Sequence, residues 1–221
     1  STTSNTFNIS PNVKTQIVII TEPTNTIYST AITPAIDVEI QDAYGNKTTD
    51  TDTITLAIGT DPSAGAAVLA GTLPVPAVNG AASFGDITID TVGSSYTLTA
   101  SAVGLTTATT TNFDIEPGAA TQIIITSEPT DQFAGQIITP SITAEIRDAA
   151  NNLVTTATDT VALALGTDPS AGSAIIAGVI SKSAVAGIVT FDDIEIDIPN
   201  TGYTLDLTAT GLTNAISNTF D

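Results

Sequence analysis

"ITPAIDVEIQDAYGN", residues 32–46, returns as "ITPSITAEIRDAANN" at residues 138–152. In the first stretch Ile36, Val38 and Ile40 alternate with Asp37, Glu39 and Gln41; in the second Ile142, Ala144 and Ile146 alternate with Thr143, Glu145 and Arg147. An apolar period of two marks a strand with one face on a core. The residues that follow are turn chemistry: Asp42 or Asp148 leads, and Gly45 or Asn151, both tolerant of positive φ, stands three positions on. A strand and its turn are therefore present twice.

Working outward, the duplication covers most of the chain. Thr15-Gln16-Ile17 returns as Thr121-Gln122-Ile123, and "GTDPSAG" stands at 59–65 and again at 166–172. The offset is 106 up to an inserted residue near Val154 and 107 beyond it. About half of the aligned residues are identical, so the chain holds two copies of one repeat.

Each copy supplies further alternating segments. Ile54, Leu56 and Ile58 pair in sequence with Val161, Leu163 and Leu165, and Tyr96, Leu98 and Ala100 with Tyr203, Leu205 and Leu207. With segments near 15–20, 66–70, 80–90 and 107–114, about seven strands per copy are predicted. Close-spaced turn signals and the lack of a helical period predict an all-β protein of two sandwiches. Phe84 and the pair Ile87, Ile89 fall on opposite parities, as do Phe191 and the set Ile194, Ile196, Ile198, which predicts a β-bulge at Gly85-Asp86 and at Asp192-Asp193.

Composition narrows the function. Apolar residues make up 42% of the 221 and aromatics 5%, so the cores are largely aliphatic. A net charge of -19, with Lys14, Lys47, Arg147 and Lys182 as the whole basic complement, argues against nucleic acid, whose phosphates repel such a surface. No apolar run reaches the ~18 residues that span a bilayer, so no membrane insertion is expected in this segment. There is no Cys and no Met. The missing Met predicts a processed chain or an excerpt, with any targeting signal or anchor outside it.

"VEIQDAYGN" (38–46), "GTDPSAG", the Gly-Ala-Ala-Ser-Phe stretch (80–84) and "YTLTASAVGLTTATTTNFDI" (96–115) resemble the bacterial immunoglobulin-like repeats of surface proteins, the invasin- and intimin-like group. The resemblance covers both copies nearly end to end. It implies two tandem immunoglobulin-like β-sandwiches, an extracellular place on the surface of a prokaryotic cell, and a role as stalk, spacer or adhesin. It implies no catalytic residue. The second copy departs in reading "DAANN" for "DAYGN".

Catalysis finds little support in the residues themselves. Without His or Cys, Ser-His-Asp and Cys-His arrangements cannot form. Lys182 in "SKS" is the nearest to a nucleophile motif, but Val75 stands at its place in the first copy, so a lone exposed lysine is expected. No enzyme and no cofactor are expected. Calcium is the metal to weigh, since it takes six to eight oxygen ligands. Asp114 and Glu116 near the joint, and Asp42 and Asp148 in their turns, are its candidate ligands. The competing expectation is that Asp42 and Asp148 accept N–H bonds from their own turns. Asp193, Glu195 and Asp197 alternate with isoleucines and are expected on a solvated sheet face.

Six further residues are expected to be structural. Tyr96 and Tyr203 open a strand where a tyrosine corner would tie a crossing loop to the sheet. Asp61-Pro62 and Asp168-Pro169 fit positions i and i+1 of a type I turn, with Gly59 and Gly166 ending the strand before it. Exposed aromatics, the mark of a binding module for a host or surface ligand, are limited to Tyr28, Tyr44 and Phe133.

Residues 1–12 align with 107–118: Phe7 matches Phe113, Ile9 matches Ile115 and Pro11 matches Pro117. Residues 1–11 therefore read as the last strand and linker of a preceding repeat, followed by repeats at 12–117 and 118–221. Alternatively, residues 1–9 are a donor strand, with Phe7 and Ile9 completing the sheet of a neighbouring subunit in a filament. Because 213–220 already supply the second copy's own strand, the array is favoured. The expected partners are neighbouring repeats or subunits of the same protein.

Overall fold

The computed structural model describes residues 5–221, and no helix occurs among them. The chain divides into a first unit that ends at Glu116 and a second, Pro117–Asp221. Each has the layout of an immunoglobulin-like sandwich and closes its own aliphatic core.

The first unit comprises β1 (Lys14–Ile19), β2 (Thr26–Ile27), β3 (Ile36–Asp42), β4 (Thr53–Thr60), β5 (Leu69–Ala70), β6 (Pro74–Pro76), β7 (Ala81–Phe84), β8 (Thr88–Ile89), β9 (Gly93–Ser101), β10 (Ala108–Thr109) and β11 (Phe113–Glu116). One sheet runs β1-β3-β7; the facing one runs β2-β11-β9-β4-β6 with β10 beside β9; β5 and β8 form a short ribbon. Ile36, Val38 and Ile40 from the first sheet meet Ile54, Leu56, Tyr96 and Leu98 from the second, and all are buried. The period of two puts these side chains on the inner faces. β1 also ties the two sheets: it pairs with β3, while the Ile17 N–H donates to the Thr106 carbonyl and the Thr106 N–H to that of Thr15, both at 3.0 Å.

The second unit comprises β12 (Ala120–Ser127), β13 (Ile142–Asp148), β14 (Thr160–Leu165), β15 (Ile176–Ala177), β16 (Ser181–Ser183), β17 (Ile188–Phe191), β18 (Glu195–Ile196), β19 (Leu205–Thr208) and β20 (Ala215–Ile216). Its sheets run β12-β13-β17 and β16-β14-β19-β20, with β15 beside β18. The pieces outnumber the seven segments anticipated because several of those segments break where the chain changes partner.

The segment 80–90 is such a break, and it corrects the expected bulge. β7 pairs with β3 as far as Phe84, and β8 then pairs with β5. Gly85-Asp86 is thus a change of sheet and not an extra residue within one ladder. Phe84, Ile87 and Ile89 are all buried, as are Phe191, Ile194 and Ile196, while Ile198 is half-buried. The crossing is tight at the opposite strand: a Cβ on Gly71, at φ +119°, would stand 2.6 Å from the Asp86 carbonyl oxygen. Gly178 meets Asp193 in the same way, at 2.2 Å.

Candidate functional site

The most heavily bonded side chains are the aspartates that lead the two turns. Asp42 Oδ1 accepts the N–H of Tyr44 and of Asn46, each at 2.9 Å, and Oδ2 accepts Asn12 N–H at 2.8 Å and Asn46 Nδ2 at 3.0 Å. Asp148 repeats the set with Ala150, Asn152, Gly118 and Asn152 Nδ2, at 2.8–3.1 Å. Both residues are buried. Burial pushes the Asp42 carboxyl up, but the Asn46 amide and the backbone donors of Asn12, Asn46 and Tyr44 outweigh it and bring it down to about 2. The Asp148 carboxyl is lowered against the same opposition by Asn152, Gly118 and Ala150.

A carboxylate ringed by four N–H donors presents its lone pairs to hydrogen and not to a cation. Asp114 is engaged too, since its Oδ1 accepts Ser95 N–H at 2.8 Å, and Glu116 Oε1 accepts Asn25 Nδ2 at 3.2 Å. Among the described residues no three acidic side chains are grouped to hold a metal ion. The four calcium candidates are therefore not gathered into one shell.

"GTDPSAG" has the same self-contained chemistry. Asp61 Oδ1 accepts both the N–H and the hydroxyl of Ser63, at 2.8 and 2.5 Å, and Asp168 does likewise with Ser170, at 2.9 and 2.5 Å. These serine hydroxyls hold both carboxyls below the usual carboxylate range. Ala64 and Gly65 then turn the chain at φ 59° and 90°, and Ala171 and Gly172 at 59° and 82°. One expectation is corrected: β4 does not stop at Gly59 but runs through it to Thr60, with a register shift between Ile58 and Thr60. A Cβ on Gly59 would stand 2.7 Å from Thr97 Oγ1 and 2.8 Å from Thr99 Oγ1, so a side chain there would have to displace these two hydroxyls.

The loop lies beside Tyr96. A Cβ on Gly93 would come within 2.8 Å of Pro62 Cγ and 3.1 Å of Tyr96 Cε2, which puts the Pro62 ring and the tyrosine against one backbone position. The Tyr96 hydroxyl donates to the Thr91 carbonyl at 3.0 Å, and that of Tyr203 to Ile198 at 2.9 Å. Both residues are buried, and burial raises the Tyr96 phenol above its usual value. Phe113 packs 6.2 Å from the Tyr96 ring and Phe220 6.1 Å from that of Tyr203.

The acidic strand face does more than meet solvent. Asp86 Oδ1 accepts Thr72 N–H at 3.0 Å and Asp193 Oδ2 accepts Val179 N–H at 3.0 Å; Asp90 and Asp197 accept Val68 and Ile175 at 2.8 and 2.7 Å. Sequence reasoning missed these staples, although the recurrence of Asp86/Asp193 and Asp90/Asp197 at the repeat offset carried the signal. Lys182 is not the lone exposed lysine expected: it pairs with Asp192 at 2.5 Å and stands 5.8 Å over the Phe191 ring. Lys14 pairs with Asp52, Lys47 with Glu39 and Arg147 with Glu145.

Of the candidate recognition aromatics, Tyr44 and Phe133 are exposed, while Tyr28 is half-buried against the first core. Phe7 and Ile9 are exposed; residues 1–4 of the anticipated donor strand lie outside the described residues. Phe133 borders a small groove of about 30 Å³ at the end of the second core, floored by Ile138, Ile196, Tyr203 and Phe220.

No family model matches the chain, and no curated protein matches it. Solved structures similar to it include the Escherichia coli adhesin FdeC, at 13% identity and a TM-score of 0.45, over 96% of this chain and 67% of that one. The D0-D1 domain of intimin matches at 12% and 0.30, over 94% and 99%. A β-glycosidase from Bacteroides vulgatus matches at 13% and 0.39, over 94% of this chain and 25% of that one. The chain thus spans about a quarter of the length of that glycosidase.

Proposed function

We propose that the chain is a non-enzymatic structural segment of the cell exterior, a stalk, spacer or adhesin piece built from tandem immunoglobulin-like domains. One observation carries this reading. Four of the aspartate pairs kept at matching places in the two repeats (42/148, 61/168, 86/193 and 90/197) each accept at least one backbone N–H bond. What the duplication retains is fold-holding chemistry, as a repeated mechanical element needs, and not a converging set of acid, base and nucleophile. The net charge of -19 suits a solvated surface segment that resists non-specific association.

Antibody raised against residues 1–221 tests the location on intact producing cells. Immunogold label on unpermeabilised cells is the expected result. Label that appears only after permeabilisation contradicts the proposal.

A further inference from the structure

The two units end their larger sheet on the same strand, β6 in the first and β16 in the second. β6 reads Pro74-Val75-Pro76, and β16 reads Ser181-Lys182-Ser183 at matching places. The bonds around these strands fix which residues face outward. Leu163 N–H donates to the Ile180 carbonyl at 2.8 Å and Ala184 N–H to that of Asp159 at 2.9 Å, with Val161 opposite Lys182 between them. Ile180, Lys182 and Ala184 therefore bond to β14, and the backbone groups of Ser181 and Ser183 point away from the sheet. Leu56 N–H to Leu73 and Ala77 N–H to Asp52 set the same alternation in the first unit. There both outward positions are prolines, which have no N–H to offer a further strand. The first edge is stopped and the second is open.

The opening is two residues long. Val179 N–H is taken by Asp193 Oδ2 at 3.0 Å on one side, and Val185 N–H by the Ile188 carbonyl at 2.8 Å on the other. Val179-Ile180-Ser181-Lys182-Ser183-Ala184-Val185 is close to a palindrome. Laid antiparallel on itself about Lys182, it sets Ser181 against Ser183 and Val179 against Val185, whose side chains are exposed. Residues 169–191 contain no acid and one base, so this edge meets its like without opposing runs of carboxylates, in a chain of net charge -19.

One atom beside the edge lacks a partner. Asp193 Oδ1 is buried and accepts no hydrogen bond among the described residues, although Lys182 Nζ stands 3.5 Å away, drawn to Asp192 Oδ1 at 2.5 Å. In the first unit the matching Asp86 has the Thr72 hydroxyl as a donor at 2.7 Å, and Val179 stands at that place here. Two carboxylates thus share one ammonium, and a second ammonium arriving at β16 complements them.

We propose that β16 is a self-association edge, on which two copies of the chain pair antiparallel with Ser181 of each opposite Ser183 of the other and Lys182 of each beside the Asp192-Asp193 pair of the other. The two outward residues of each copy exchange N–H and C=O bonds, and the β16-β14-β19-β20 sheets become continuous across a two-fold axis. Seven residues a side fall well short of the roughly 20–30 of a standard interface, so the contact is weak, with a dissociation constant of roughly 0.1–1 mM. This goes beyond the structural reading above, since it holds wherever the chain resides.

Sedimentation equilibrium of the 221-residue chain tests it. Ser181→Pro with Ser183→Pro, the first repeat's residues at these positions, is expected to abolish the dimer and leave the melting temperature near that of the wild type. Lys182→Gln weakens association about tenfold. The chain has no cysteine, so thiols report the register without proline. Ser181→Cys mixed with Ser183→Cys under mild oxidation should give heterodimer in excess of either homodimer, with Val103→Cys, 95% exposed, as background. A wild-type chain monomeric at about 1 mM overturns the proposal. So do a dimer that survives the prolines, heterodimer equal to background, or tighter association of Lys182→Gln. Surface labelling of cells reads none of these, so the two readings fail separately.

Discussion

The Asn12 backbone N–H donates to the Asp42 carboxylate at 2.8 Å, across 30 residues of sequence. It fastens the segment entering β1 to the turn after β3, and Gly118 and Asp148 repeat the bond at 2.8 Å in the second unit. Removing the carboxylate strands four N–H donors in a buried place, the costly half of the hydrogen-bond asymmetry.

Asp42→Asn and Asp148→Asn are expected to lower the melting temperature, because an amide turns a donor toward donors. The pH dependence has a definite sign. The Asp42 carboxyl sits at about 2 when folded against 3.8 ordinarily, so its stabilisation is present above 3.8 and lost as pH falls through about 2. The gap in melting temperature between the wild-type chain and Asp42→Asn should close over that interval, as followed by circular dichroism. A gap that stays constant down to pH 2 contradicts the assignment.

Tyr96→Phe and Tyr203→Phe each remove one hydroxyl donor from a carbonyl and keep the ring packed on its phenylalanine. Each should cost about 1 kcal/mol, readable in urea unfolding with an unchanged m-value. Tyr96→Ala also empties the core beside Pro62 and should cost about 3–5 kcal/mol.

Calcium at millimolar concentration should move the melting temperature no more than magnesium at equal ionic strength, because the Asp42 and Asp148 oxygens face N–H donors. A calcium-specific rise, reversed by chelator, would show a shell built from other groups. Calorimetry with the two ions side by side reads the difference directly.

The fold was legible where physics acts locally. Ile36-x-Val38-x-Ile40 announces its strand by alternation, and Asp42, Gly45 and Asp61-Pro62 announce their turns by residue type. The offset between copies displays the duplication with no packing information. What stayed hidden depends on partners distant in sequence. Gly85-Asp86 reads as a bulge because parity records which side chains are buried, not which strand they pair with. Lys182 reads as solitary because Asp192 becomes its neighbour only when β16 and β17 come together.

The central claim is mechanical: each repeat is held by its own staples and bears load as a unit. Pulling the chain by its ends in a force-extension experiment tests it most directly. Two separate unfolding peaks are predicted, each releasing about 35 nm of chain at ~3.5 Å per extended residue. Extension of both repeats without a resolvable peak would contradict the account.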